Sequence, residues 1–248
     1  QDAGSHGKRI FIATDHIEVR RVGVNEVAPM AGSGTRSMGT SNPAGVGSAV
    51  GSAVGSAGGS TTGGIMGAAE GRTMDPDRVP GAPDPHFWTD PLAVRAVADA
   101  LAQELLADFG LDVSKEAANF DSRLLALDQQ IRQEVTNLAP QDRRIVSGHE
   151  SLGYFADRYG FELVGALVPS LSSDAESSAA WLADLKGLIQ KNHVKAIFTE
   201  LGTSPQVART IATETGARAV PLATHFLPED GSYISFERNL AQTIVGSL

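Results

Sequence analysis

Three polar side chains that can bind a metal ion follow apolar segments in the second half of the chain. His149, Glu200 and His225 each stand just beyond a short run that is typical of a buried strand. Because ligands of an open parallel sheet bind beyond the carboxyl ends of its strands, we expect the three to share one edge. Imidazole with carboxylate suits zinc, and additional carboxylate suits manganese.

Each candidate also has a structural alternative. His149 precedes a predicted helix and could cap or pack against it, Glu200 could pair with an arginine, and His225 could face solvent in a loop. His86, in a Pro-rich turn before a helix, could be part of the turn alone. Position alone leaves these alternatives open.

The remaining histidines and the lack of cysteine limit which residues could bind a metal. His193 precedes a strand at the opposite edge and is expected to be structural, whereas His6 and His16 lie in weakly patterned sequence and receive no role. The chain has no cysteine, which excludes thiol catalysis, disulfides and Cys-ligated metals. Any metal must therefore be held by His, Asp or Glu.

Size and charge exclude other classes of function. The chain has 248 residues with a formal net charge of -9, which disfavours a nucleic-acid partner. No apolar run reaches the roughly 18–20 residues of a membrane span. Residues 1–7 have no apolar signal region, and we interpret the start as an interior cut or a processed end.

The first half of the chain is unevenly patterned. Residues 9–13 form an apolar run that predicts a buried strand, and residues 17–27 alternate loosely, as extended structure does. Residues 31–71 are rich in Gly and Ser and predict a flexible insertion. Helices are expected at 91–108, ending near Gly110, and at 116–138, the latter roughly 35 Å long.

After Pro140, strands alternate with helices, which favours an α/β fold with a parallel, helix-covered sheet. The predicted strands are 144–147, 163–167, 196–199 and 219–222, and the predicted helices are 150–159, 175–190, 204–215 and 232–245. We divide the chain into a partial N-terminal lobe (1–115), a connecting helix (116–139) and a C-terminal α/β lobe (140–248).

Several motifs resemble one family in order and spacing. Residues 84–91, DPHFWTDP, are similar to a signature of the substrate-binding proteins of zinc and manganese ABC importers. Residues 146–160, VSGHESLGYFADRYG, resemble a second signature, residues 196–200, AIFTE, a third, and the helix 233–245 a fourth. The resemblance extends from about residue 8 to the C-terminus.

The resemblance implies two α/β lobes joined by one long rigid helix, with a metal in the cleft between them. His86 would come from the first lobe, His149 and the fourth-ligand position from the second, and Glu200 would lie behind the ligands. The first lobe is incomplete, since the family's opening half-lobe with its first metal-binding His has no counterpart. Many members place Asp where this chain has His225, and Glu229 and Asp230 are nearby acidic substitutes.

The function implied is metal capture and delivery. We expect a monomeric receptor, periplasmic or lipid-anchored at the cell surface, that gives Zn²⁺, or alternatively Mn²⁺, to an ABC permease. Imidazoles at 149 and 225 favour zinc, and competition with protons predicts weaker binding at pH 5 than at pH 7.5. The alternatives are a zinc hydrolase with Glu150 or Glu200 as base, and a surface adhesin or a relative that binds no metal.

Overall fold

The computed structural model describes residues 9–22, 81–172 and 176–248 of the chain. Within these ranges lie one parallel sheet of four strands and six α-helices, which confirms the predicted α/β class. The predicted insertion at 31–71 lies outside the described residues. The division into two lobes with a helix at 116–139 between them stays a prediction.

The parallel sheet has the strand order β2-β1-β3-β4. Strand order departs from chain order at its centre, where β1 lies between β2 and β3, and this is the point at which open α/β sheets bind ligands. The strands are β1 Arg144–Ser147, β2 Glu162–Ala166, β3 Ala196–Thr199 and β4 Arg218–Pro221.

Both faces of the two central strands are buried. Ile145 and Phe198 belong to one apolar cluster, whereas Val146 and Ile197, which pair across β1 and β3, belong to another. Successive side chains of a strand point to opposite faces, so each central strand contributes to both clusters. Helices therefore cover both faces of the sheet, and the polar chemistry is left to its edges.

Caps define the ends of several helices. Asp90 accepts a hydrogen bond from Leu92 N at 2.8 Å, Pro91 occupies the first helical turn, and Gly110 ends the same helix in the left-handed region at φ 65°. The helices are α1 Pro91–Phe109, α2 Ser114–Thr136, α3 Gly153–Tyr159, α4 Ala179–Lys191, α5 Pro205–Thr215 and α6 Tyr233–Gly246.

The long helix α2 buries one stripe of its surface. Leu124, Leu127, Ile131 and Val135 follow one another at helical spacing and are all buried. They join the cluster that contains Ile145 of the sheet. The remaining faces of α2 are largely polar. Among the described residues, no helix is long and apolar enough to cross a membrane.

The buried strand predicted at 9–13 is wrong. Residues 9–12 have no strand, Ile10 and Ile12 are 54% and 51% exposed, and a short 3₁₀ helix follows at Ala13–His16. An apolar run becomes a strand only when a neighbour supplies backbone hydrogen bonds, and the described residues supply none here.

Two short extended segments pair further along the chain. Arg21 and Pro83 form an antiparallel bridge, Val22 N donates to Ala82 O at 3.0 Å, and Asp84 N donates to Arg20 O at 2.8 Å. The pairing places residues 20–22 beside the segment that leads into His86. Extended structure predicted from residue 17 onward is thus present at 20–22, and its continuation to 27 lies outside the described residues.

Candidate metal centre

His86, His149 and His225 converge on one point at the carboxyl edge of the sheet. One ring nitrogen of each lies within 4.8 Å of those of the other two. The ring centroids are 5.2 Å apart for His86 and His149, 5.0 Å for His149 and His225, and 5.9 Å for His86 and His225. His86 and His149 are buried and His225 is half-buried, so the cluster opens toward solvent on the side of His225.

His149 is placed by the loop that leaves β1. The loop is held away from a helical path because Glu150 N donates to Ser170 O at 2.9 Å and Ser151 N donates to His149 O at 2.8 Å. Gly148 is required by close packing, since a Cβ there would lie 2.7 Å from Cγ2 of Thr203. The predicted helix at 150–159 therefore begins only at Gly153.

His86 is oriented by a buried carboxylate two residues earlier. Its Nδ1 lies 2.8 Å from Oδ1 of Asp84, which also accepts the His86 backbone N–H at 2.9 Å. Asp84 accepts a third bond from Nη1 of Arg20 at 3.1 Å. A carboxylate paired with arginine only accepts, so Nδ1 of His86 carries the proton and Nε2 keeps its lone pair for a cation.

Glu200 connects three loops behind the imidazoles. Its carboxylate accepts Gly148 N at 3.0 Å, Thr224 Oγ1 at 2.8 Å and the hydroxyl of Ser151. Burial raises the pKa of Glu200, and these hydrogen bonds oppose the shift by stabilising the charged form. Oε2 also lies 3.3 Å from Nδ1 of His149. Glu200 thus lies beside the imidazoles and outside the group of three converging histidines.

A hydroxyl links Glu200 to His225. Oγ1 of Thr224 lies 2.8 Å from Nδ1 of His225 and donates its own hydrogen to Glu200. Because the hydroxyl hydrogen of Thr224 is already donated to Glu200, Oγ1 can only accept a hydrogen bond from Nδ1 of His225. The ring proton of His225 is therefore on Nδ1. Nε2 of His225 is then the nitrogen with a free lone pair, as it is in His86.

Two imidazoles of the cluster, His149 and His225, have lowered pKa values and are neutral near pH 7. Burial, followed by the repulsion that a proton on His86 or His225 would exert, lowers the pKa of His149 from 6.5 to about 3. Burial and His86 also lower the pKa of His225. Both nitrogens of His149 lack a hydrogen-bond partner among the described residues, which is unusual for a buried ring. Neutral imidazoles with unshared lone pairs are what a metal ion requires.

Other sequence candidates lie apart from this group. Asp230 accepts Ser232 N at 3.0 Å and Ser235 Oγ at 2.6 Å at the start of α6. Neither it nor Glu229 belongs to the histidine cluster within the described part of the chain. His193 adopts a left-handed conformation at φ 52° in the turn before β3, outside the cluster.

The orienting residues were not assigned roles from sequence. Asp84 and Trp88 stand in the DPHFWTDP motif, so the motif was their only signal. Thr224 and Ser151 acquire their roles through contacts with Glu200 across the sheet edge, and nothing local distinguishes them from other hydroxyls.

Comparisons with known proteins identify relatives that are named for metal binding. A family model described as zinc-uptake complex component A, periplasmic (ZnuA), matches residues 11–247. The high-affinity zinc uptake system protein ZnuA of Bacillus subtilis is 34% identical over 146 residues, which are 58% of this chain and 44% of that protein. The manganese-binding lipoprotein MntA of the same organism is 29% identical over 140 residues, which are 55% of this chain and 42% of that protein.

A solved structure has the same fold. A mutant of the laminin-binding adhesin Lmb from Streptococcus agalactiae superposes with a TM-score of 0.62 at 27% sequence identity. The match covers 68% of this chain and 66% of that one. Against the two Bacillus subtilis proteins, the chain spans less than half of their length.

Proposed function

We propose that this chain, which belongs to the ZnuA family of periplasmic zinc-uptake components, captures a divalent cation. It then delivers the cation to an ABC importer. The observation that carries the proposal is the convergence of His86, His149 and His225 within 4.8 Å. The cation is the cargo of such a receptor rather than a reagent. We infer that the protein acts as a monomer outside the cytoplasm. It binds the cation there and transfers it to a membrane permease.

The donor set favours zinc over manganese. All three converging groups are imidazoles, which suit zinc, whereas manganese prefers carboxylate and water oxygens. Tetrahedral zinc with nitrogens about 2.0–2.1 Å away holds its ligand atoms roughly 3.3 Å apart. The three ring nitrogens, now within 4.8 Å of one another, therefore need to approach each other by about 1.5 Å at most to bind zinc. Manganese remains the alternative cargo, in keeping with the manganese-binding relative.

Two buried acidic side chains support a doubly charged cation. Asp84 lies directly behind His86, and Glu200 lies behind His149 and, through Thr224, behind His225. A metal ion in the cluster would meet imidazoles whose far sides are in contact with negative or polar groups. Such contacts fix ring orientation and increase ligand basicity, and so they raise affinity.

The same contacts argue against Glu200 as the base of a hydrolase. A general base must be free to take a proton from metal-bound water. Glu200 instead accepts three hydrogen bonds, from Gly148, Ser151 and Thr224, and is buried behind the rings. The arrangement suits holding a cation more than activating water.

Calorimetry on the full chain tests the proposal. Zn²⁺ added to chelator-treated protein at pH 7.5 should bind with a stoichiometry of one, and Mn²⁺ should bind more weakly. We expect zinc affinity to fall by about an order of magnitude or more in each of the variants H86A, H149A and H225A, because each removes one of the three proposed ligands. His193→Asn is the control, because it removes a histidine outside the cluster and Asn tolerates the left-handed backbone there. Absence of zinc binding by the unmodified chain would instead favour a relative that binds no metal.

A further inference from the structure

Trp88 is hydrogen-bonded to both ends of the loop that carries His225. At the start of this loop, Trp88 Nε1 donates to the carbonyl oxygen of Thr224 at 2.8 Å. At its end, the hydroxyl of Tyr233 donates to the carbonyl oxygen of Trp88 at 2.9 Å. Residues 222–232 connect β4 to α6, so the two bonds close the loop onto a single residue.

The indole ring also contacts two of the three imidazoles. Its centroid lies 5.2 Å from that of His86 and 5.8 Å from that of His225, and both contacts are edge-to-face. Aromatic pairs favour this geometry. Trp88 therefore joins the segment that bears one candidate ligand to the loop that bears another.

The loop is the part of the cluster with room to move. His86 and His149 are buried, whereas His225 is half-buried and is followed by Phe226 and Leu227, which are 66% and 55% exposed. A cation held by three imidazoles leaves only when one of them withdraws. Of the three, His225 is the least buried, and the two residues that follow it are exposed.

We propose that Trp88 is a positioning residue that holds the His225 loop closed and so sets the rate at which bound metal is released. This inference rests on the proposed function, since it presupposes that the three histidines bind the cation. Trp88 does not coordinate the metal, so its loss should leave the ligand set unchanged. The effect should fall on dissociation, because association is limited by encounter and by the open face of the cluster.

The chain contains matched controls for both hydrogen bonds. Its other tryptophan, Trp181 on α4, donates from Nε1 to the carbonyl oxygen of Ala166 at 2.9 Å and packs in the apolar cluster that contains Val146, without a ring contact to the three histidines among the described residues. W181F thus removes the same kind of bond elsewhere. For Tyr233, the control is Y159F, because the buried hydroxyl of Tyr159 has no hydrogen-bond partner among the described residues.

Release is measured by mixing zinc-loaded full chain with an excess of a chromogenic chelator in a stopped-flow instrument. W88F and Y233F should each release zinc about fivefold faster than the unmodified chain, as expected for loss of one hydrogen bond. W181F and Y159F should release zinc at the unmodified rate. The visible spectrum of bound Co²⁺ should be the same in all five proteins, because each keeps the same ligands.

Two results would overturn the inference: unmodified release rates in both W88F and Y233F, or equal acceleration by W181F. If W88F does not fold, Y233F decides alone. Calorimetry on the unmodified chain comes first, because it distinguishes failure of the proposed function from failure of the role of Trp88. If that chain binds no zinc, the proposed function fails and this inference with it, whereas tight binding with unchanged release overturns the role of Trp88 only.

Discussion

Oδ1 of Asp84 accepts both the ring Nδ1 and the backbone N–H of His86, at 2.8 and 2.9 Å. The carboxylate cannot easily reorient, because Arg20 binds it at 3.1 Å and the packing around it is tight. A Cβ on Gly153 would lie 2.3 Å from Nη1 of Arg20 and 2.6 Å from Oδ2 of Asp84. The first turn of α3 therefore helps to fix the orientation of a ring 67 residues earlier in the chain.

Substitution of Asp84 should weaken zinc binding without removing a ligand. D84N keeps the shape of the side chain but loses its charge and its ion pair with Arg20, so His86 becomes less basic and its tautomer is less firmly held. We expect about tenfold weaker zinc affinity by calorimetry at pH 7.5. D157N is the matched control, because Asp157 also binds Arg20, at 2.7 Å, but is exposed. Equal losses in the two variants would assign the effect to Arg20 rather than to the Asp84–His86 contact.

Glu200 should control the tautomer of His225 through Thr224. In E200Q an amide hydrogen can face Oγ1 of Thr224, which then turns and donates to Nδ1 of His225. The ring proton would move to Nε2 and block the nitrogen that we propose binds the metal. We expect zinc affinity to fall by about ten- to a hundredfold, and imidazole ¹⁵N chemical shifts should report the change of tautomer.

The control for this variant is E162Q. Glu162 is an exposed carboxylate on β2 that pairs with Arg144 at 3.0 Å, so its neutralisation changes the net charge by the same amount. Zinc binding by E162Q should match that of the unmodified chain. Unaltered affinity and unaltered ¹⁵N shifts in E200Q would show that Thr224 does not transmit the state of Glu200.

The central strands were predictable because local pattern and burial agree. β1 and β3 have the predicted bounds 144–147 and 196–199, and the apolar pairs at their centres, Ile145–Val146 and Ile197–Phe198, are fully buried. β2 and β4 begin one residue earlier than predicted, at Glu162 and Arg218, which are exposed and polar and so fall outside an apolar run. Pairing with a neighbouring strand, rather than side-chain type, starts these two strands.

Only the three converging histidines of the candidate site were predictable from the sequence. His149 and His225 stand at strand ends, a position that can be read from the chain, and His86 was found through its motif. The bond from Trp88 to Thr224 joins residues 136 positions apart, and no local signal indicates it. Residue types at sheet edges thus predict which groups could bind a metal, whereas the contacts that orient them depend on the folded chain.

The metal-free chain should lose stability as the pH falls below neutrality. The pKa of His149 is about 3 in the folded state and near its ordinary value of 6.5 when the chain unfolds. Between these values the unfolded chain binds a proton that the folded chain does not. The contribution is therefore complete above pH 6.5 and declines toward pH 3, by up to about 1.4 kcal/mol per pH unit.

Urea unfolding in the presence of a chelator at pH 7.5, 6 and 5 checks this slope. H149Q should flatten it, because the amide does not titrate, whereas H193N should keep it. The lowered pKa also means that protons compete for His149 at a lower pH than the sequence suggests. A slope that H149Q leaves unchanged would mean that His149 titrates alike in the folded and unfolded chain.

Glu237 should behave in the opposite sense. It is fully buried on α6, and both of its carboxylate oxygens lack a hydrogen-bond partner among the described residues. Burial, with the nearby charge of Asp90, raises its pKa well above the ordinary 4.5. The folded chain therefore holds a proton that the unfolded chain releases as the pH rises above 4.5, and the associated stability is full below that pH and lost above it.

Neutralising Glu237 should therefore stabilise the chain near neutral pH. E237Q is expected to unfold at higher urea concentration at pH 7.5, by about 1–3 kcal/mol in unfolding free energy, because no buried carboxyl needs to stay protonated or charged. The gain should shrink toward zero as the pH falls through 4.5, because below that pH the carboxyl of Glu237 is neutral in the folded and the unfolded chain alike. E214Q, at an exposed carboxylate paired with Lys186, should give no such pH-dependent gain. A gain in E237Q that is equal at pH 4.5 and pH 7.5 would have to come from packing, and the buried carboxyl would then not be the cause.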